Sequence, residues 1–379
     1  MADSSELEIQ IADRRREIST DRYGMSIGEL TSLYTDGDLI VHPEFQRFFR
    51  WDDIQKSRLI ESILLGIPLP SIFVAASEGG EWELVDGLQR VSTLLQLQGL
   101  LVKDDGKKAE RLILQGTKYL PALEGKFWPT SAEEERDPSA LGAPQRRDIK
   151  RARIDVQIIK RDSSSDTKYD LFQRLNSYGS QLTTQELRSC MLVSVDPDFL
   201  KWVESLASSE SFRRSVQLSE RLIDEQYDIE LVLRFLVLHN ESDIKARDLK
   251  NFSSYLDDKT IEMAGQYVEK REELNRAFNT TFELISASCG ENAFRRWLPG
   301  ERRFTGSFLN TSYEVIALGL GFHVAQGSEF RADVESVVKE FWESPDMTTS
   351  FATGVSTETR MSRFLPRGRA LFDVGASRE

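Results

Sequence analysis

The sequence of 379 residues contains little cysteine and little histidine, and these scarcities exclude several kinds of site. Its two cysteines, Cys190 and Cys289, are too few for a cysteine-rich zinc site and argue against a disulfide framework. Its three histidines, His42, His239 and His323, are scattered along the chain. An HNH-type nuclease needs a histidine base with a second histidine close by on the metal. We therefore do not expect such a nuclease in this chain.

Long apolar runs and an excess of positive charge are also missing. No run approaches the ~18 apolar residues of a membrane span, and residues 1–16 lack the apolar core of a signal peptide. We therefore expect a cytoplasmic protein with no membrane partner. Lys and Arg number 49 against 62 Asp and Glu, a net charge of -13. This balance disfavours a protein coated in nucleic acid, although a local basic groove remains compatible with it.

The length and the hydrophobic pattern predict a mixed α+β fold in which a small sheet with helices is followed by an all-α domain. We assign residues 1–25 to an N-terminal arm, 26–165 to an α/β domain and 166–379 to a helical domain. The arm is either an oligomerisation contact, which would make the protein a homo-oligomer, or a solvated tail.

Local signals place the elements of these domains. Ser26 with Glu29 predicts a capping box that begins a helix, and Asp52 is the predicted cap of a second helix, which ends at Gly66. Strands are predicted at 39–45, 72–75, 82–85 and 154–159. Other segments are predicted as an irregular insertion at 103–148, a long helix at 259–278 and a mobile tail at 361–369.

The first candidate site lies where the strand from Leu39 runs through Gln46 and Arg47 towards the next helix. Ligands of open α/β sheets bind at the carboxyl ends of strands. The planar fork of Arg47 suits a phosphate, and Gln46 can hold a water or a base edge. The alternative is that the surrounding aromatic residues form core and the arginines a solvated rim.

The second candidate site is the turn at Asp86-Gly87, between a strand and a helix whose first turns hold Gln89, Arg90, Ser92 and Thr93. The amino end of a helix attracts phosphate through its backbone N–H groups and its dipole. Gly87 permits close approach or a positive φ. The alternative is a capped helix start, with Asp86 as the N-cap and no ligand.

If this turn binds a nucleotide, each side chain has a plausible task. Asp86 would position Mg²⁺ or a nucleoside hydroxyl, and Gln89 would orient a water. Arg90 would neutralise charge that develops on a phosphoryl group. A third polar group, Arg174 and Asn176 near a predicted tight turn, would reach the same ligand if that corner packs on the sheet edge.

Four motifs in this order resemble the domain of unknown function family 262. They are Pro-x-Phe-Gln-Arg-x-x-x-Trp at 43–51, Leu-Ile-Glu-Ser-Ile-Leu-Leu-Gly-Ile-Pro-Leu-Pro at 59–70, Val-Asp-Gly-Leu-Gln-Arg at 85–90, and Arg-Leu-Asn-Ser-Tyr-Gly-x-x-Leu-Thr-x-Gln-Glu-Leu-Arg at 174–188. The resemblance covers about residues 26–195. It implies a ParB/sulfiredoxin-like fold and kinship with the nucleotide-hydrolysing half of GmrSD-type modification-dependent restriction enzymes and with the phosphorothioate-sensing protein SspE.

The resemblance also implies roles for particular residues. Asp86, Gly87, Gln89 and Arg90 fall in the family's Asp-Gly-Gln-Gln-Arg nucleotide signature, and Gln46 and Arg47 in its Gln-Arg motif. The sequence departs from the signature at Leu88, where the family often has glutamine. If that glutamine positions the attacking water, hydrolysis would be slow or absent while binding survives.

Three functions follow as hypotheses. The leading one is a nucleotide-binding and NTP-hydrolysing sensor subunit of a prokaryotic DNA-defence system, which uses ATP, GTP or CTP with Mg²⁺, responds to modified DNA and controls a separate nuclease. The second is a ParB-like DNA-binding or partner-switching protein that binds nucleotide without turnover. The third is a standalone nuclease. Basic clusters at 146–153 and 295–303 either contact DNA phosphates or form solvated faces.

Overall fold

The computed structural model describes residues 8, 20–41, 51–77, 79–103, 106–159, 183–241, 249–345, 347 and 357–375. The chain forms two compact units, Met1–Leu182 and Thr183–Glu379. The domain boundary predicted between residues 165 and 166 lies outside the described residues. The first unit carries a small mixed sheet with helices and the second is mainly helical, which confirms the predicted α+β fold.

The sheet of the first unit has the strand order β1-β5-β3-β4-β2. Its strands are β1 (Thr20–Ser26), β2 (Leu39–Ile40), β3 (Ile72–Ala76), β4 (Trp82–Asp86) and β5 (Arg153–Ile159). Two neighbouring pairs are parallel, β3 with β5 and β2 with β4, and the other two pairs are antiparallel. The predicted strands at 72–75, 82–85 and 154–159 are confirmed within a residue or two. The strand predicted at 39–45 is described only as far as Val41.

The helices of the first unit are α1 (Ile27–Asp36), α2 (Asp53–Leu64), α3 (Leu88–Leu97) and α4 (Ala143–Arg151). Asp52 caps α2, as predicted, and the structure adds that Gln55 completes a full capping box with it. Ser26 caps α1 through its hydroxyl, but the Glu29 carboxylate accepts a hydrogen bond from the Tyr23 hydroxyl at 2.7 Å instead of returning to the cap. The core between sheet and helices is aliphatic and includes Ile72, Val74, Val91, Leu94 and Val156.

The N-terminal arm predicted through residue 25 is wrong for residues 20–25, because Thr20–Ser26 forms the edge strand β1. All seven of its residues pair antiparallel with β5. Among residues 21–26 of the strand, Met25 alone is buried, and the sequence carries little of the apolar alternation that marks a strand. A partner more than a hundred residues away supplies the hydrogen bonds that hold it.

The insertion predicted at 103–148 is largely irregular, as expected, but it is not confined to the surface. Five of its residues enter the core: Leu112, Leu114, Leu123, Trp128 and Leu141. Two polar side chains of α2 hold its backbone. The Ser57 hydroxyl accepts from the Gln115 N–H at 2.9 Å, and Glu61 accepts from the N–H groups of Tyr119 and Leu120 at 2.8 and 3.0 Å. The segment also ends in α4, which the sequence analysis missed.

The second unit contains helices and a two-stranded antiparallel sheet, which the prediction of uninterrupted helices overlooked. Its helices are α5 (Thr184–Val195), α6 (Pro197–Ala207), α7 (Glu210–Val216), α8 (Glu220–Asp224), α9 (Tyr227–Leu238), α10 (Phe252–Ala264), α11 (Tyr267–Ser288), α12 (Asn310–Gln326), α13 (Val334–Glu343) and α14 (Thr357–Phe372). Its strands are β6 (Arg296–Leu298) and β7 (Arg303–Thr305). The helix predicted at 259–278 is two helices, because the chain breaks at Gly265 and Gln266.

The mobile tail predicted at 361–369 is wrong, because α14 covers it with buried apolar side chains at helical spacing. Met361, Phe364 and Leu365 lie on that buried face. His239 and His323 are buried and hydrogen-bonded. His239 Nδ1 lies 2.8 Å from the Phe235 carbonyl oxygen, and both ring nitrogens of His323 have oxygen partners. Among the described helices, none is both long and apolar enough to cross a membrane.

A buried ionic network joins five helices of the second unit. Arg188 on α5, 1% exposed, bonds Asp257 on α10 through its Nε at 2.6 Å, and its Nη1 lies 3.9 Å from Glu230 on α9. Arg234 contacts Glu230 at 2.5 Å and lies 3.5 Å from Glu314 on α12. Arg360 on α14 meets both oxygens of Glu314, at 2.7 and 2.8 Å. Alternating charges let each buried side chain neutralise its neighbours.

Candidate functional site

The turn between β4 and α3 has a backbone conformation that requires glycine. Gly87 has φ 102° and ψ 14°, in the left-handed region that a residue with a Cβ rarely adopts. A Cβ at this position would collide with the side chain of Ile72 and lie 3.4 Å from Arg90 Nη2. No side chain caps α3, so its amino end is not covered by a cap residue. The predicted positive φ is therefore present, while the group that closely approaches Gly87 is the protein's own Ile72.

Asp86 and Arg90 form an ion pair across this turn. Arg90 Nη2 lies 3.0 Å from Asp86 Oδ2, and the two side chains are 13% and 29% exposed, respectively. The other guanidinium nitrogen, Nη1, donates to the backbone carbonyls of Pro70 and of Ser71, the latter at 3.1 Å. Arg90 thus joins the end of β4 to the segment that leads into β3. The simple alternative, Asp86 as the side-chain N-cap of α3, is wrong, because the N-cap is Gly87.

Partial burial perturbs both members of the pair. Desolvation raises the pKa of Asp86, and the Arg90 charge and the Gly87 N–H offset only part of that rise. Desolvation also lowers the pKa of Arg90, again partly offset by Asp86. A further cation or anion at this point would therefore meet groups that are less solvated than ordinary surface charges.

Gln89 connects this turn to the start of the α2 region. Its Oε1 accepts a hydrogen bond from the Trp51 N–H at 3.2 Å. Trp51 follows residues 42–50, which leave β2, and β2 runs parallel to β4. The carboxyl ends of β2 and β4 therefore lie at one edge of the sheet, where α/β proteins commonly bind ligands. The predicted water-orienting role of Gln89 remains a prediction.

Ser92 and Thr93, predicted as ligand contacts, are both fully buried in α3. The Thr93 hydroxyl donates to the Gln89 carbonyl at 2.6 Å, which is an ordinary helix back-bond. The Ser92 hydroxyl has no hydrogen-bond partner among the described residues. In this conformation neither side chain offers surface to a ligand, and we leave both out of the site.

Four other predicted site residues lie outside the described residues: Gln46, Arg47, Arg174 and Asn176. Within the described part of the chain, no group of three or more His, Cys, Asp or Glu side chains is arranged to hold a metal. Asp86 would therefore be a single protein ligand for Mg²⁺. Such a site fits the usual coordination of Mg²⁺, which combines one or two carboxylates with substrate phosphates and water.

The geometry also shows what sequence reasoning missed at this turn. The carbonyls of Pro70 and Ser71 come from another motif, and nothing in the sequence marks them as partners of Arg90. The i,i+4 spacing of Asp86 and Arg90 was the available signal for the ion pair. Leu88, the departure from the signature, packs partly buried against the core.

A comparison with protein families now bears on this site. Residues 27–193 match the model of the GmrSD restriction endonuclease, N-terminal domain. The match to this GmrSD domain contains the β4–α3 turn and confirms the predicted resemblance. It relates the chain to restriction systems. No curated protein and no solved structure matches the chain significantly.

The GmrSD domain match extends beyond the first unit. It ends at Val193, inside α5, the first helix of the second unit. Thr183 and Glu186 form a full capping box at the start of α5. Arg188 from the same motif is bonded to Asp257 in the buried network. The Gln-Glu-Leu-Arg end of the last motif therefore serves the packing of the helical unit.

Proposed function

We propose that this restriction-related protein binds a nucleoside triphosphate at the β4–α3 turn and uses nucleotide state to control a separate nuclease. One observation carries the proposal. An uncapped helix end, a glycine with positive φ and a partly exposed carboxylate follow one another at Asp86-Gly87-Leu88. Backbone N–H groups at a helix amino end bind phosphate without needing a basic side chain. The match to the GmrSD domain supports a role in defence.

Each residue of the turn has a task in this proposal. The amino end of α3 holds phosphate, and Gly87 supplies the positive φ with which the chain passes from β4 into α3. Asp86 would hold Mg²⁺, which when bound supplies positive charge to the phosphate oxygens. Arg90 keeps the turn in shape through Pro70 and Ser71, and Asp86 would exchange part of its contact with Arg90 for the metal.

Thermal-shift titration with ATP, GTP and CTP, each with and without Mg²⁺, tests the proposal. A ligand at 100 times its Kd stabilises the folded state by about 2.7 kcal/mol, a readily measured shift. We expect at least one nucleotide with Mg²⁺ to stabilise the protein. Asp86→Asn should weaken that effect, while Asp36→Asn, at an exposed carboxylate on α1, should leave it unchanged. No stabilisation by any nucleotide would contradict the proposal.

Binding without turnover is a second candidate, and Leu88 favours it. The side chain at this signature position is apolar and packs on the core, so it cannot orient a water. Arg90, the residue proposed to neutralise phosphoryl charge, is engaged by Asp86 and two carbonyls. We expect slow hydrolysis in the natural sequence.

Leu88→Gln separates binding from turnover. If the missing glutamine limits hydrolysis, this variant should release phosphate faster while the thermal shift with nucleotide stays similar. Rapid hydrolysis by the natural sequence, with no gain in Leu88→Gln, would reject the second candidate. Binding that is lost in the variant would show that the substitution disturbs the turn itself.

A further inference from the structure

Helix α4 and the start of β5 carry several cations without acidic partners among the described residues, and one of them, Lys150, has its Nζ 5.8 Å from the centre of the Trp128 ring. Arg147, Lys150 and Arg151 on the helix, and Arg153 at the start of β5, are all exposed. None of these four side chains forms an ion pair with a described residue. Arg146 differs, because it contacts Glu135 at 2.7 Å. We call the four exposed residues the α4 basic face.

This arrangement works against the stability of the helix itself. Arg147 and Arg151 are four residues apart, and Arg147 and Lys150 three apart, so like charges face each other on one side. Ile149 is the one buried residue among those of α4, which leaves little apolar burial to offset the repulsion. Lys150 and Arg151 do complement the carboxyl end of the helix dipole, but Arg147 and Arg153 lie outside that last turn.

Exposed cations elsewhere in the described chain commonly have acidic partners. Examples are Arg111 with Glu134, Lys201 with Asp198, Arg221 with Glu225 and Arg303 with Glu301. In a chain with a net charge of -13, acidic partners are abundant. The acids within the segment, Asp148 and Asp155, are exposed and leave the face with a surplus of positive charge.

Sheet topology sets this face at the same edge as the β4–α3 turn. Phe73 pairs with both Asp86 and Gln157, so Asp86 and Gln157 lie at one level across three strands. Arg153 lies four residues before Gln157 on β5, towards the end of the sheet at which β4 passes into α3. With strands ~4.8 Å apart and ~3.3 Å per residue, Arg153 and Asp86 are about 16 Å apart. That separation exceeds the Debye length of about 8 Å at physiological salt, so the two sites can be perturbed separately.

We propose that the α4 basic face is a contact surface for the phosphate backbone of duplex DNA. Arg147 and Arg151 are about 6 Å apart along the helix axis. DNA carries one charge per 3.4 Å of each strand, so neighbouring phosphates can engage both side chains. The face would position DNA without recognising a particular base sequence, because contacts to phosphate carry no sequence information. It names a DNA partner for the first unit and does not depend on nucleotide binding.

A matched pair of triple variants tests the surface. Arg147→Ala/Lys150→Ala/Arg151→Ala removes three cations from the α4 basic face. The control, Lys270→Ala/Arg271→Ala/Arg276→Ala, removes three exposed cations from α11, where Glu269, Glu272 and Glu273 lie beside them in sequence. Both variants lower the net charge equally. Fluorescence anisotropy of an unmodified duplex of about two helical turns is measured over a salt series.

Each lost phosphate contact lowers the slope of log K against log salt by about 0.9. For the α4 variant we expect the magnitude of this slope to be about 2–3 smaller and binding at low salt to be weaker. The control variant should match the natural sequence in both. An equal loss in the control would overturn the proposal, as would no DNA binding by the natural sequence. Binding of poly-L-glutamate instead of DNA, sensitive to the same variant, would overturn it in favour of a partner protein.

Folding and nucleotide binding are checked separately. Because the α4 variant relieves like-charge repulsion, its melting temperature should equal or exceed that of the natural sequence. Its thermal shift with nucleotide should be unchanged. A natural sequence that is stabilised by nucleotide but binds no DNA would reject the DNA surface alone. A natural sequence that binds DNA through the α4 basic face but is not stabilised by nucleotide would reject the nucleotide site alone.

Discussion

Arg90 offers the sharpest test of how the β4–α3 turn is built, through the substitution Arg90→Met. The change removes a charge-assisted bond to Asp86 and the donors to the Pro70 and Ser71 carbonyls. A hydrogen bond to a charged group contributes about 1.5–3 kcal/mol and a neutral one about 1 kcal/mol. Asp86 is 29% exposed and regains water in the variant, which reduces the loss. We expect a cost of about 2–4 kcal/mol.

Hydrogen exchange measures this cost in the first unit without averaging over the second. Peptides that span β3 and β4 report the opening of the sheet, and each 1.4 kcal/mol is a factor of ten in an equilibrium constant. Their exchange should therefore accelerate about 30-fold to several hundred-fold in Arg90→Met. Arg90→Lys keeps the charge but loses the fork, so its effect should be smaller.

Nucleotide titration of the same variants decides between two roles for Arg90. If Arg90 supports the turn, Arg90→Lys retains most nucleotide affinity and Arg90→Met loses stability. Unchanged exchange at β3 and β4 in Arg90→Met, together with lost nucleotide affinity, would refute this reasoning. Arg90 would then be a phosphate ligand whose bonds to Pro70 and Ser71 contribute little.

Three further predictions concern other features of the two units. In urea denaturation, Gly87→Ala should destabilise the protein more than Gly37→Ala. Both glycines have a positive φ, 102° and 87°, which costs about 1–2 kcal/mol for alanine. A Cβ at Gly87 also meets Ile72, which adds about 1–3 kcal/mol, whereas a Cβ at Gly37 meets nothing; equal costs would contradict this. The Thr130 N–H and Arg111 lower the pKa of Glu134 to about 2 from an ordinary 4.5. The Glu134 carboxylate therefore stabilises the folded protein above pH 4.5, and this stabilisation is lost as pH falls towards 2. Over that range the melting temperature of Glu134→Gln should fall less than that of the natural sequence. Equal falls in the two melting temperatures would rule this out. Arg188→Met removes the Nε contact to buried Asp257 and should cost about 3–5 kcal/mol. The double variant Arg188→Met/Asp257→Asn should cost less than the two single variants together, and additive costs would count against the pair.

Features fixed by neighbouring residues could be predicted from the sequence. Asp52 and Gln55 form their capping box within four residues, and the Asp86-Gly87 turn has the glycine that its backbone requires. The hairpin from β3 to β4 likewise depends on a short connection. These signals need no knowledge of distant partners, and the structure reproduces them.

Features that depend on distant partners could not be predicted in the same way. β1 has few apolar residues and is held by β5, whose position along the chain gives no hint of the pairing. The insertion looked like a surface loop because its core residues are isolated in sequence, and α2 holds it through Ser57 and Glu61. At the site, the carbonyls of Pro70 and Ser71 come from a separate motif.

One error was avoidable. The arginines of residues 361–369 suggest a mobile tail in the sequence, but this segment lies within the helix Thr357–Phe372. Its buried residues Met361, Phe364, Leu365 and Phe372 nevertheless follow helical spacing, so the signal was present in the sequence. The arginine at 360 is bonded to Glu314 and is not a free cation of a mobile segment.

Nucleotide binding at the β4–α3 turn is the central claim, and local hydrogen exchange tests it most directly. The natural sequence is compared with and without the stabilising nucleotide and Mg²⁺, with peptides that resolve residues 86–91. The account predicts slower exchange at these amides on ligand addition, and a weaker effect in Asp86→Asn. No protection there at saturating nucleotide, or protection confined to the second unit, would contradict it.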